Sequence, residues 1–278
     1  MFNEEEIDRR YLLRRYNDLK ILLVADLHLG FEAEWSRKGL ETREPTWSYK
    51  VINRLKKDIK ETHPDQLIIL GDIEHSFAHF KGPEANKNGI WVSNRWLREK
   101  ALSYFMEQIV EVHDLKISLV RGNQDTSFVK SLNQRVEIFP QKEASLFGQL
   151  GVFHGHMKPS EIVLISSEMM LGHVHPSIDL VDELKIHHKF PVFAKLTVTR
   201  EEVFQIFNYQ FEFEEIGLIE QVPITILPAY NFYLSGFTLN QSRKKKTFPV
   251  LWNLIRHPKL RIQLTNGIEL GKLEDLIQ

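Results

Sequence analysis

Two unbroken aliphatic runs at residues 21–25 and 67–70, and a third at 117–120 interrupted only by Ser118, punctuate the first half of the chain. Short apolar runs of this kind, bounded by polar segments, predict strands buried on both faces. Between the first two, Trp47, Val51, Ile52, Leu55 and Ile59 recur at helical spacing with Lys and Arg between them. That pattern predicts an amphipathic helix ending before Pro64. A second helix is predicted from Trp96 to Val112. Strand, helix, strand, helix, strand is the order of an α/β protein with parallel strands. Beyond Ser131 the texture changes. Short strands are predicted at 136–139, 144–147, 150–153 and 169–171, and residues 178–240 are rich in β-branched and aromatic side chains with little helical patterning. No linker, repeat or low-complexity tract divides the chain, so residues 1–278 read as one domain. The stretch from Ser76 to Asn94, with Gly82-Pro83 and Asn88-Gly89, is long for a loop, and such loops often rim functional sites.

Polar residues closing these runs carry the chemistry. Asp26, Asp72, Asn123 and His154 each fall just past the last apolar residue of a predicted strand, and His28, His173 and His175 lie close by in Asp26-Leu27-His28 and Gly172-His173-Val174-His175. Ligands of open α/β sheets bind outside the carboxyl ends of the strands, so positions more than a hundred residues apart can converge there. All seven are oxygen or imidazole donors, suited to Mn, Fe or Zn rather than to Cu(I) or an iron–sulfur cluster. Seven donors are what two adjacent divalent ions need. Asp72 is the natural carboxylate to bridge them, and such a pair clamps a phosphoryl group and activates water.

Composition narrows the picture. With 42 % hydrophobic and 26 % charged residues the chain has an ordinary globular balance, and no apolar run is long enough to span a bilayer. The acidic N-terminus lacks the basic-then-apolar order of a signal peptide, so cytoplasmic residence is expected. There is no cysteine, which excludes disulfides, thiolate ligands and a cysteine nucleophile. A net charge of −1 supplies no global pull toward nucleic acid or anionic lipid. The clusters Arg9, Arg10, Arg14, Arg15 and Arg243-Lys244-Lys245-Lys246 read most simply as solvated surface.

In order, these motifs resemble those of the calcineurin-like metallophosphoesterases: Asp-x-His, Gly-Asp, Gly-Asn-His-Asp/Glu, His, Gly-His-x-His. The stretches at 26–32, 71–77, 154–156, 172–176, 227–231 and 266–271 resemble more narrowly the Icc-related phosphoesterases of archaea and bacteria, some associated with DNA ligase. The resemblance implies an α/β sandwich of two mixed sheets flanked by helices, with residues from about 178 to 278 in the second sheet and its flanks. It implies two divalent metals, Mn foremost, with Fe, Zn, Ni or Co as alternatives. One would take Asp26, His28, Asp72 and His175, the other Asp72, Asn123, His154 and His173. It also implies a phosphodiester substrate, with DNA, RNA or a nucleotide foremost.

One position departs from the pattern. Gln124 stands where the family carries a histidine, held by the following acid, that is thought to protonate the leaving group or stabilise charge. An amide donates a hydrogen bond but delivers no proton near neutral pH. Three readings follow: substrates with good leaving groups, a proton from His75 or His156, or a protein that keeps metal or nucleic-acid binding without turnover. Asp125 either serves the reaction or caps a helix predicted to begin at Thr126-Ser127. Arg37, Lys38, Arg43, Lys81, Lys87, Arg95 and Arg98 could line a groove for a nucleic-acid backbone. Trp35, Phe77, Phe80 and Trp91 could stack on bases, or pack internally.

Overall fold

A computed structural model describes residues 8–16, 18–37, 42–75, 94–111, 115–125, 132, 135–140, 144–146, 149–210, 221–241 and 247–277. The aliphatic runs are strands. In chain order, β1 (Leu12–Tyr16), β2 (Leu19–Val24), β3 (Gln66–Leu70), β4 (Lys116–Val120) and β5 (Val136–Phe139) lie side by side in the first sheet. The strands β2 to β5 are parallel, and β1 closes one edge antiparallel to β2. The helices α1 (Glu32–Arg37) and α2 (Thr46–Thr62) join β2 to β3, and α3 (Asn94–Phe105) precedes β4. His63 ends α2 in the left-handed conformation, with its N–H on the Ile59 carbonyl, and Pro64 bars continuation. The helix expected at 96–112 begins slightly earlier, at Asn94. It is α-helical to Phe105 and widens to a π turn over Met106–Val110, in which Ile109 and Val110 are both buried.

The second sheet contains β6 (Ala144–Leu146), β7 (Leu150–Phe153), β8 (Glu168–Leu171), β9 (Pro176–Val181), β10 (His187–Val198), β11 (Val222–Ile226), β12 (Phe237–Thr238), β13 (Arg261–Leu264) and β14 (Glu269–Lys272). It is mixed: β7, β8 and β11 run parallel, while β10 is antiparallel to β9, β11 and β13. Three short helices, α4 (Glu161–Leu164), α5 (Arg200–Ile206) and α6 (Trp252–Ile255), flank it. A capping box between Thr199 and Glu202 starts α5.

Alternation along each strand builds the layers. Leu22, Val24, Leu67 and Ile69 face Val51, Ile52 and Leu55 of α2 and Leu102 and Phe105 of α3. Their neighbours Ile21, Leu23, Ile68 and Leu70 face Leu150, Val152, Met170 and Phe193 of the other sheet. The outer face of that sheet packs on Leu164, Phe204 and Leu254 of the three short helices. The result is the expected helix–sheet–sheet–helix sandwich. Both faces of β2 and β3 are covered, which is why their sequences are continuously apolar rather than alternating. Among the described residues no helix is long and apolar enough to cross a membrane.

Candidate metal centre

At the carboxyl ends of these strands the chain turns sharply. Of nine non-glycine residues with positive φ among those described, five are expected ligands: Asp26 (57°), His28 (44°), Asp72 (47°), His173 (68°) and His175 (47°). Backbone held in this sparsely populated region costs of order 1–3 kcal/mol per residue and clusters at functional sites. Two glycines admit the crowding that results. A Cβ on Gly71 would lie 2.2 Å from His154 Nδ1, and one on Gly122 would lie 2.0 Å from Asp72 Oδ1.

The turns bring six of the seven residues together as two groups, and Asn123 joins the second through His154. Asp26, His28 and His175 form one and Asp72, His154 and His173 the other, each with its donor atoms within 4.8 Å of one another. In the first, His28 Nε2 and His175 Nε2 are 3.1 Å apart, and His175 Nε2 lies 3.3 Å from Asp26 Oδ1. In the second, His154 Nε2 lies 3.4 Å from Asp72 Oδ2 and 3.2 Å from Asn123 Oδ1. Asp72 Oδ2 is also 3.9 Å from His28 Nε2, which places this carboxylate between the groups. Donors each about 2.0–2.2 Å from one cation stand roughly 3 Å apart, as these do. Among the described residues Asp26 Oδ1 is buried and makes no well-aligned hydrogen bond, although His175 Nε2 is close, an arrangement that a cation would relieve. The residues present therefore fit a pair of divalent ions.

Hydrogen bonds behind the donors set their orientation. His154 Nδ1–H donates to the Leu70 carbonyl (2.8 Å), which turns Nε2 toward Asp72. His28 Nδ1 lies 3.2 Å from His75 Nδ1, and His75 Nε2 lies 3.5 Å from Glu34 Oε2. With His28 Nε2 turned to the carboxylates, its Nδ1–H donates to His75, whose Nε2–H faces Glu34. The carboxylate of Asp125 accepts three backbone N–H groups, from Gly122 (2.7 Å), Asp72 (3.0 Å) and Glu74 (3.2 Å), and so ties the turn after β3 to the turn after β4. Tyr230 N–H and Asn231 Nδ2–H donate to the carbonyls of Ala25 and Leu27, clamping the Asp26–His28 turn from the far side. The half-buried His156 has its ring 5.2 Å from that of His154, and its Nδ1 is buried without a partner among the described residues. Gln124 is half-buried beside them, its N–H on Asp72 Oδ1 at 2.8 Å.

The electrostatics suit cation binding. Burial pushes the carboxyls of Asp26 and Asp72 up, but the surrounding imidazoles (His175, His154 and His28 for Asp26, His154 and His28 for Asp72) outweigh it and hold both below the usual range. Burial lowers His28 to about 3 and His173 to about 4, leaving neutral imidazoles with free lone pairs. His154 runs the other way. Its burial opposes charge, but Asp72 and Asp26 overcome that and raise it to about 9. Burial and the Asp72 charge raise Asp125 to about 7. A raised histidine stabilises the metal-free fold fully below its unfolded value near 6.5, and that contribution is lost as pH rises through about 9. A cation must displace the same proton. Mn²⁺ is therefore expected to raise the melting temperature more at pH 9 than at pH 6.5 and to release a proton on binding at pH 7. Melting curves and titration calorimetry in buffers of different ionisation enthalpy read these; a pH-independent shift without proton release contradicts the ligand role of His154.

Several residues expected from the sequence lie elsewhere or outside the described structure. Trp35 is 44 % exposed and meets Trp47 edge-on. Arg98 pairs with the buried Glu74 at 3.4 Å. Phe77, Phe80, Lys81, Lys87, Trp91, Lys38, the Ser76–Asn94 loop up to residue 93, the start of the helix expected at Thr126 and the 243–246 cluster lie outside the described residues, as do the side chains of Arg37 and Arg95. Arg10 departs from the solvated reading: it is 7 % exposed, pairs with Asp8 at 2.8 Å and donates to the carbonyls of Ala229 and Asn231. Glu34, Asn231 and Arg10 are supports that no periodicity marked.

Comparison with known proteins agrees with this architecture. The calcineurin-like phosphoesterase family matches residues 19–227, most of the chain, and the protein belongs to that family. Among solved structures, the Pseudomonas putida nuclease MPE is similar at a TM-score of 0.51 and 20 % identity, over 94 % of this chain and 100 % of that one. Yfce, a phosphoesterase from E. coli, aligns at a TM-score of 0.35 and 20 % identity over 62 % of this chain and 81 % of its own. No curated protein matches.

Proposed function

We propose that the protein hydrolyses phosphodiesters of nucleic acids or nucleotides with two divalent ions, Mn²⁺ foremost and Fe, Zn, Ni or Co as alternatives. The observation that carries this reading is the pair of carboxylate–imidazole groups with Asp72 between them. Asp26, His28 and His175 would hold one ion and Asn123, His154 and His173 the other, with Asp72 shared. When bound, the ions supply charge to the phosphoryl oxygens and lower the pKa of the attacking water. The chain's own part is to keep seven donors in place against their strained turns. Asp125 serves as a brace rather than as a reacting group, since its carboxylate is already occupied by three backbone N–H groups. Gln124, half-buried beside the donors, would turn its side-chain amide to a phosphoryl oxygen or leaving group. The same reading takes residues 1–278 as one phosphoesterase domain acting in the cytoplasm. Similarity in fold to a nuclease supports the substrate class.

A second reading rests on Gln124 alone: a protein that binds metal and a nucleic acid or partner without turnover. Bis-p-nitrophenyl phosphate with Mn²⁺ separates the two. The proposed activity requires p-nitrophenol release that stops with a chelator and returns with Mn²⁺. Metal-loaded protein that cleaves neither this nor any nucleotide diester supports the binding reading.

A further inference from the structure

Beside the candidate metal centre lies a cavity of about 280 Å³ that none of the seven donors except His175 lines. Its walls combine four kinds of group. Phe232 and Tyr233 supply aromatic surface, and Ala229 and Pro191 an apolar floor. Lys189 supplies positive charge, with Nζ donating to the Gly236 carbonyl at 2.6 Å. Ser177 also lines it; this residue is 2 % exposed and its hydroxyl has no hydrogen-bond partner among the described residues. A buried unpartnered hydroxyl in a cavity wall is a costly feature that a polar ligand atom would relieve.

Ring contacts brace the aromatic wall. The Tyr233 ring meets Phe232 at 4.5 Å, Trp47 at 5.7 Å and Phe31 at 5.9 Å between centroids, yet the residue remains 38 % exposed. Its N–H is fixed on Asn231 Oδ1 at 3.0 Å, and Asn231 in turn holds the Leu27 carbonyl in the ligand turn. On the other side, the Phe237 N–H donates to the His175 carbonyl at 2.8 Å. The cavity is thus built onto the metal-binding turns from both sides.

We propose that this cavity receives the nucleoside of the substrate, its base against Tyr233 and its polar edge toward Ser177, while the phosphoryl group sits at the metal centre. The assignment deepens the reading given under Proposed function and rests on it for the phosphoryl position. An exposed aromatic ring offers a flat group a stacking surface. The volume lies at the small end for ligand pockets, suited to one nucleoside rather than to a duplex. The protein would accordingly prefer a nucleotide diester or an unpaired strand end to a paired backbone.

The test compares thymidine 5′-p-nitrophenyl phosphate with methyl p-nitrophenyl phosphate, which shares the leaving group but cannot fill the cavity. Tyr233→Leu keeps apolar bulk and removes the ring. It should lower kcat/KM for the nucleoside substrate at least about tenfold, within the range of one lost base stack, and leave the methyl substrate within about twofold. Equal losses on both substrates, or none on either, would overturn the assignment. Should neither substrate turn over, calorimetry of the Mn²⁺-loaded protein decides: adenosine 5′-monophosphate must bind at least about tenfold more tightly than inorganic phosphate, and Tyr233→Leu must erase the difference. Nucleotide binding no tighter than phosphate would overturn the proposal whatever the fate of the phosphoesterase reading.

Discussion

Replacing Asp72 by Asn abolishes phosphodiester hydrolysis, with kcat down at least about 10³-fold, and shrinks the rise in melting temperature that Mn²⁺ produces. The expectation follows from where Asp72 stands. Its Oδ2 is 3.4 Å from His154 Nε2 and 3.9 Å from His28 Nε2, so it is the carboxylate that the proposed reading has the two groups share. The imidazoles hold it ionised despite its burial. An amide keeps the shape, and its oxygen can still accept from the Gln124 N–H, so the turn has what it needs to form. What would be lost is a negative charge between the two cations of the proposed centre. Charge stabilisation of several kcal/mol at about 1.4 kcal/mol per decade of rate accounts for the factor. Thermal shift supplies the independent readout, because a ligand that binds only the folded state stabilises by RT ln(1 + [L]/Kd). A variant that keeps a tenth of the activity and the full Mn²⁺ shift would show that the two groups do not share this residue.

Much of this site is legible because strand ends and candidate ligands coincide. Runs such as 21–25 and 67–70 are apolar on both faces, so the first polar residue after each marks a carboxyl end of the sheet, and Asp26 and Asp72 fall there. What escaped the sequence depends on contacts between distant segments. The order of the second sheet places β11 parallel to β8 and β12 parallel to β9, pairings that no local pattern encodes. Arg10 reads as one of four surface arginines, yet it is buried because the 229–231 segment offers it carbonyls from more than two hundred residues away. Asp125 looked like a cap or a reacting group. Its three N–H donors come from two different turns that meet only in the fold. Tyr233 stands as an isolated aromatic in the sequence, since its ring partners Phe31 and Trp47 lie in another part of the chain.

Installing histidine at position 124 should raise the rate on poor leaving groups by about 10²–10⁴-fold while changing bis-p-nitrophenyl phosphate hydrolysis little. The structure narrows the three readings that Gln124 left open. A substitute acid must carry a proton near pH 7. Burial lowers His75, whose ring is already engaged between His28 Nδ1 and Glu34. Burial and the neighbouring His154 lower His156 to about 4. Both imidazoles are therefore neutral at pH 7, and cations at the adjacent donors would push them further the same way. With neither imidazole in its acid form, the proposed turnover would depend on leaving groups that depart unaided, such as aryl oxides. Gln124→His restores a group with an ordinary value near 6.5 on the backbone that already donates to Asp72 Oδ1. Its signature is selective. The gain appears with a dinucleotide or alkyl diester, and kcat acquires a descending limb above the pKa of the new imidazole, since the acid form does the work. A wild type that already cleaves alkyl diesters as fast as aryl ones would instead show that another group delivers the proton. In that case His156→Gln is the variant in which alkyl cleavage alone should fail, because His75 is held between His28 Nδ1 and Glu34 while the Nδ1 of His156 has no partner among the described residues.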